Sequence, residues 1–167
     1  MSLDGFIADA DGGVSWIEGD GSDPNANESY SAFYDSIDTV IIGNTTYNQI
    51  ITELSPNKWV YGDKTSYILT HHPKENLKNI LFTDEDVSSL TQRFKAEQGQ
   101  DIWVCGGAKV ANLFVSQNLI DRFYITVVPI ILGRGVRLFS DQNPKIKLKL
   151  VSSKSYNGFI EEVYDKR

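Results

Sequence analysis

A chain of 167 residues, 41% hydrophobic and 23% charged, has the composition of an ordinary globular protein of one domain, residues 1–167. A formal charge of −6 argues against a nucleic-acid or anionic-membrane surface as the main partner, and no apolar run approaches the roughly 20 residues needed to span a bilayer. The single cysteine, Cys105, excludes an internal disulfide framework, the adjacent His71 and His72 with one thiol cannot assemble a zinc site, and the chain shows no secretory or polybasic start; no metal and a reducing, cytoplasmic setting are therefore expected.

Residues 3–8 join a turn signal, Asp4-Gly5, to a short apolar run, which predicts a kinked strand. Residues 9–27 are rich in Asp, Gly, Ser and Asn around Val14-Ser15-Trp16-Ile17, the pattern of a long loop that is either a lid over a binding site or a surface excursion. Trp16 has to pack on the core or on a ligand. Tyr30, Phe33, Tyr34 and Ile37 then recur at helical spacing and predict a helix over 28–36. Residues 38–43 read as a buried strand, followed by a helix that Asn44 or Thr45 caps, with Tyr47, Ile50, Ile51 and Leu54 inward and Pro56 closing it. Strands are expected at 65–70, before His71, and at 79–82; Asp84 or Asp86 caps a helix that turns Val87, Leu90 and Phe94 inward.

Residues 101–114 form a strand–glycine turn–helix pattern: Ile102 to Cys105 suit a buried strand, Gly106 and Gly107 follow, and Val110, Leu113 and Phe114 mark one face of a helix. The glycines either supply a tight connection or let an anion such as a pyrophosphate approach the free N–H groups of the helix start. Residues 122–132 predict a long strand, which Gly133-Arg134-Gly135 turns towards 136–139. Residues 145–153 alternate, with Ile146, Leu148 and Leu150 on one face and a solvated lysine face opposite; Asn157-Gly158 signals a hairpin into 159–164. Strands alternating with helices, then consecutive strands, imply an α/β fold with a mixed, mostly parallel central sheet, about four flanking helices and an antiparallel C-terminal hairpin.

Several of these pieces, in this order, resemble the dihydrofolate reductase-like family, in its branch containing the reductase domain of riboflavin biosynthesis and related small bacterial reductases. The likeness rests on Ser2-Leu3-Asp4-Gly5-Phe6-Ile7-Ala8 with Trp16 soon after, residues 38–47, Ile68-Leu69-Thr70, Ile102 to Ala108, and the stretch from Leu119-Ile120-Asp121 through Pro129 and Leu132-Gly133-Arg134-Gly135 to Leu138-Phe139. The resemblance implies a dihydrofolate reductase-like fold and an NADPH-dependent reductase, NADH remaining an alternative cofactor. It implies cofactor contacts at Ala8, at Gly43, Asn44, Thr45 and Thr46, at Thr70 and His71, and at Cys105, Gly106, Gly107, Ala108, Lys109 and Val110.

Trp16 and Phe33 are the substrate-facing aromatics, and Glu28 and Asp4 the candidate proton sources; either acid could instead serve the local helix start or turn. The expected substrate is a small heterocycle of pyrimidine or pteridine type, as for the phosphoribosylamino-uracil reductase of riboflavin biosynthesis; dihydrofolate reduction and a non-catalytic nucleotide-sensing module are the alternatives. A homodimer through residues 123–132 and their glycine turn, with no nucleic acid or membrane partner, completes the expectation. Two departures stand out. Asn44 occupies a position where relatives carry arginine, leaving His71, His72, Lys74 and Lys109 as substitute cations. Relatives also carry residues ahead of the Ser2 segment that form the first half of a central strand, so here that strand is short or the start is trimmed.

Overall fold

β-Branched runs set the centre of the fold. A computed structural model describes residues 1–23 and 28–167, apart from the side chains of Glu28 and Ser29. Val40, Ile41 and Ile42 lie in β2 (Ile37–Gly43) and are all essentially sealed from solvent, as expected of a parallel strand covered on both faces. β2 is flanked by β3 (Thr65–Leu69) and β5 (Asp101–Gly106), and β4 (Ile80–Thr83) lies beyond β3, giving a parallel sheet of order β4-β3-β2-β5.

Alternation along β2 divides the core. Val40 and Ile42 meet Tyr47, Ile50, Ile68 and Phe82 on one face, beside α1 (Glu28–Asp35) and α2 (Asn44–Gln49), which runs on as a π-helical turn over Ile50–Leu54. Ile41 points the other way, into Val87 and Leu90 of α3 (Val87–Ala96) and Val110 and Phe114 of α4 (Ala108–Ser116). Asp86 caps α3 as expected, its carboxylate accepting from the Ser88 and Ser89 amides at 3.0 and 3.1 Å. The parallel sheet, the four α-helices of the described residues and the antiparallel C-terminal hairpin agree with the expected α/β architecture. Among the described residues no helix is long and apolar enough to cross a membrane.

The last third pairs antiparallel. β6 (Arg122–Val127) lies beside β9 (Phe159–Lys166), which pairs with β8 (Leu148–Tyr156) across the expected Asn157-Gly158 turn, both residues having positive φ. Four local expectations are corrected. β6 stops at Val127, not 132, because Pro129 has no N–H for a ladder. Gly133 and Gly135 do not fold the chain back on β6; they deliver β7 (Val136–Arg137) to β1 (Phe6–Ala8), with which it pairs antiparallel. Neither Asn44 nor Thr45 caps α2, since the helix begins at Asn44 with extended Gly43 before it. The apolar faces also shift: in α4, Leu113 is 42% exposed and Val115 is buried instead, while in β8 Leu148 and Leu150 stay open to solvent.

Candidate functional site

The carboxyl ends of the central strands are level. Gly43 is in register with Leu69 of β3, and Ile42 with Gly106 of β5, so the turns that leave these strands open on one edge of the sheet. That edge is where open α/β sheets place ligands. Gly43, Asn44, Thr45 and Thr46 come to it from β2, Thr70 and His71 from β3, and Gly106 to Val110 from β5. The sequence-predicted cofactor positions on these three turns are therefore brought together.

Two helix starts meet side by side there. A Cβ on Gly107 would lie 2.9 Å from Thr46 Oγ1, and one on Gly43 would lie 3.0 Å from a Val110 methyl. The absent side chains thus keep a narrow cradle open, floored by backbone. The Gly106-Gly107 peptide is cis, and Gly106 has φ 116°, a region that L side chains avoid. Gly107 precedes α4 and offers no side-chain cap, so the first amides of the helix remain for an acceptor from outside. Lys109 is exposed in that first turn, and Val110 is buried against the β2 side. Donors, glycine backbone and a nearby cation fit phosphate oxygens. Asn44 Oδ1 is buried with no hydrogen-bond partner among the described residues, an orphan acceptor beside the cradle that suits a ligand N–H rather than a phosphate.

Thr70 follows β3; its amide donates to Thr83 O and its hydroxyl accepts from the His72 amide, leaving His71 exposed at the turn. Ala8 ends β1 opposite Val136, and its neighbour Ile7 lines the same cavity as Gly106 and Gly107. Cys105 joins the edge through its backbone only. Its sulfur lies 3.6 Å from the Tyr61 hydroxyl in the core beneath α1 and α2, and burial pushes the thiol up to about 11 despite that hydrogen bond. Such a thiol is not a nucleophile at neutral pH.

The remaining candidates diverge. Trp16 is half-buried in the 9–23 loop, with its indole N–H on Gly13 O, while Gln49 of α2 holds the loop through Gly12 O at 2.9 Å. Phe33 packs between Trp103 of β5 and Tyr124 of β6 and lines the same cavity as Gly106 and Gly107. The Asp4 carboxylate accepts from Ser2 Oγ at 2.7 Å and from the Leu132 and Gly133 amides at 3.1 and 2.7 Å. Desolvation pushes its pKa up, but the hydrogen bonds from Ser2 and those two amides outweigh it and hold the carboxyl below the usual aspartate value. An acid so held stays ionised and clamps the 132–133 loop, the reverse of what a proton donor requires. The Glu28 side chain lies outside the described residues.

Sequence reasoning passed over Asn112. Its Nδ2 donates to Ala108 O and Leu138 O at 2.7 and 2.8 Å, and its Oδ1 accepts from the Ser140 amide and from Asn143. One side chain thus ties the segment after β7 to the helix that frames the cradle. The available signal was an asparagine within an otherwise apolar helical run, where it is a poor helix former.

Residues 1–160 match the RibD C-terminal domain family. The Bacillus subtilis (strain 168) protein named Uncharacterized protein YwjB is 37% identical over 98% of this chain and 92% of its own length. Among solved structures, a Shewanella sp. PV-4 protein described as a candidate in riboflavin biosynthesis superposes with a TM-score of 0.83 at 24% identity, covering 100% of this chain and 95% of that one. The deaminase/reductase of Thermotoga maritima gives 0.72 at 17% identity, covering 99% of this chain and 54% of that one. With a family match across nearly its whole length and a relative above 30% identity, the chain belongs to the RibD C-terminal domain family.

Proposed function

We propose that this protein is an NADPH-dependent reductase acting on a pyrimidine or pteridine-type heterocycle, with a phosphoribosylamino-uracil of the kind named for the Thermotoga maritima protein as the preferred substrate class. The observation that carries this reading is the pair of glycine-lined helix starts side by side at the carboxyl edge of the sheet, where Gly107 approaches Thr46 and Gly43 approaches Val110. The amides from Ala108 to Val110 hold the pyrophosphate, Thr45 and Thr46 add hydroxyl donors, and Lys109 supplies a charge. Thr70 and His71 border the adenosine side. NADPH, when bound, supplies the hydride. The protein's work is to fix the nicotinamide against the acceptor, exclude water and provide a proton, for which Glu28 at the start of α1 is the candidate.

Titration of NADPH and NADH against the protein, followed by nicotinamide fluorescence, tests the cofactor assignment. NADPH is expected to bind more tightly, and Gly107→Ala to weaken it by roughly tenfold or more by filling the cradle, while far-UV circular dichroism stays unchanged. Equal affinities for the two cofactors would remove the claim on the 2′-phosphate. Oxidation of NADPH with an aminouracil ribosylamine but not with dihydrofolate would select the substrate class. We further propose a homodimer, for which the exposed apolar residues Tyr124, Ile131 and Val136 near the β6 end and its glycine turn are the natural contact. A monomer mass in solution scattering would overturn it.

A further inference from the structure

Charge is distributed unevenly around the cradle. No Lys or Arg precedes Lys58, whereas the loop after β1 carries Asp9, Asp11, Glu18, Asp20 and Asp23. Gln49 of α2 holds that loop through Gly12 O, so the wall running from β1 to α2 is acidic and repels a phosphate. A phosphorylated substrate has to find its cation on another wall, and β7 supplies one. Arg137 is the register partner of Phe6 on β1, and the Leu138 amide beside it donates to Gly5 O at 3.0 Å. Asn112 then bridges Leu138 O and Ala108 O, which fixes this strand against the first turn of α4.

The Arg137 side chain is held in place without being neutralised. Its guanidinium lies over the Phe6 ring, with Cζ 4.7 Å from the centroid, and its Nη1 runs beside Gly5. Phe6 is only 5% exposed while Arg137 itself is exposed, so the arginine covers a buried ring and keeps its charge in water. Arg93 and Arg122, by contrast, end on carboxylates, Glu85 at 2.9 Å and Asp165 at 2.6 Å. Among the described residues Arg137 has no ion pair and no hydrogen bond from its guanidinium. Stacking on a ring occupies the flat face of the fork and leaves its N–H edges for a ligand, the arrangement that suits bidentate capture of a phosphate. Arg134, also without an ion pair, stands on the same turn between Gly133 and Gly135, the latter packed on Ala8 O.

We propose that Arg137 is the receptor for a phosphate monoester on the substrate, at a subsite separate from the pyrophosphate cradle, with Arg134 adding charge. The assignment rests on the reductase reading for the identity of the substrate, but capture of the phosphate requires no turnover. The 2′-phosphate of NADPH carries the same chemistry, so the test separates the two sources.

Ribose 5-phosphate and ribose are titrated calorimetrically into the protein alone and into the protein saturated with NADPH. Ribose 5-phosphate is expected to bind in both cases, and ribose at least about tenfold more weakly. Arg137→Met keeps an apolar stem over Phe6 and is expected to weaken ribose 5-phosphate by about tenfold or more, with Arg137→Lys recovering part of the loss. NADPH and NADH affinities stay within about twofold in both variants, and Lys145→Met, which removes an exposed cation elsewhere, changes none of these values. In the unsubstituted protein the Arg137 side-chain N–H resonance shifts on addition of ribose 5-phosphate and not of ribose, a readout that needs no variant. Equal binding of the two sugars, or full binding by Arg137→Met, would overturn the proposal. Displacement of ribose 5-phosphate by NADPH, or a selective loss of NADPH affinity in Arg137→Met, would assign the guanidinium to the cofactor and overturn it equally. A protein that fails to bind NADPH but binds ribose 5-phosphate through Arg137 would sink the reductase reading and leave the subsite standing.

Discussion

Asn112 and Asp4 show how single polar side chains hold the loops around the cradle. Asn112 uses both ends of its amide, towards Ala108 and Leu138 through Nδ2 and towards Ser140 and Asn143 through Oδ1. Its truncation leaves partly buried backbone groups without partners, so Asn112→Ala is expected to lower stability by about 1–3 kcal/mol in urea denaturation. Asp4 performs the same service for Leu132 and Gly133. The sequence marked Asp4 as either a turn residue or a proton source, because a carboxylate beside glycine suits both; the partners that decide it lie more than a hundred residues away. Trp16 presents the same ambiguity on a smaller scale, since its indole bonds within its own loop.

At the scale of elements, local chemistry was legible wherever both signals for an element lay in one window. The Asp86 cap, the Asn157-Gly158 turn and the apolar strand β2 follow from residues a few positions apart, and each forms as expected. Gly133 and Gly135 mark the turn into 136–139 correctly, but not the partner, β1, of the strand that forms there. β7 goes to β1 because Gly135 passes directly over the backbone there: a Cβ at Gly135 would fall 2.2 Å from Ala8 O, at φ 152°. Gly135→Ala is therefore excluded both by that carbonyl and by its backbone conformation. It is expected to destabilise the protein by about 2 kcal/mol or more, measured as a lowered midpoint in chemical denaturation, with exchange at the β1–β7 amides rising first. The same substitution at Gly133, whose Cβ would meet open space, carries only the conformational part of that cost.

Across the whole molecule, several exposed aspartates are held below their usual pKa by partners distant in sequence. Asp63 accepts from the Tyr34 hydroxyl at 2.5 Å, and Asp165 takes two hydrogen bonds from Arg122, at 2.6 and 3.0 Å. These hydrogen bonds, that from Tyr34 on Asp63 and those from Arg122 on Asp165, are the main causes of the depression, as the Ser2 and loop amides are for Asp4 against an opposing desolvation. A depressed folded pKa means that the unfolded chain binds more protons. The stabilisation is complete above the ordinary aspartate range and is lost as pH falls below about 4 through the folded values. Tm is expected to hold level near neutrality and drop through this acid window, with a shallower drop in Tyr34→Phe and in high salt, which screens the exposed Arg122 pair. A Tm that rises on acidification would contradict the assignment.

The α/β class, the helices and strands of the first two-thirds and the glycine turns at Gly43 and Gly106 are written in local sequence, because hydrophobic period, caps and glycine act over a few residues. The side-by-side placing of those two turns, the Asp4 clamp, the packing of Phe33 between Trp103 and Tyr124 and the pairing of β7 with β1 emerge only in three dimensions. Each of these depends on strand order and register, and register is set by which edges meet in space. The cradle itself is such a case: its glycines are visible in the sequence, but the close approach of Gly107 to Thr46 exists only because Ile42 and Gly106 end level on adjacent parallel strands.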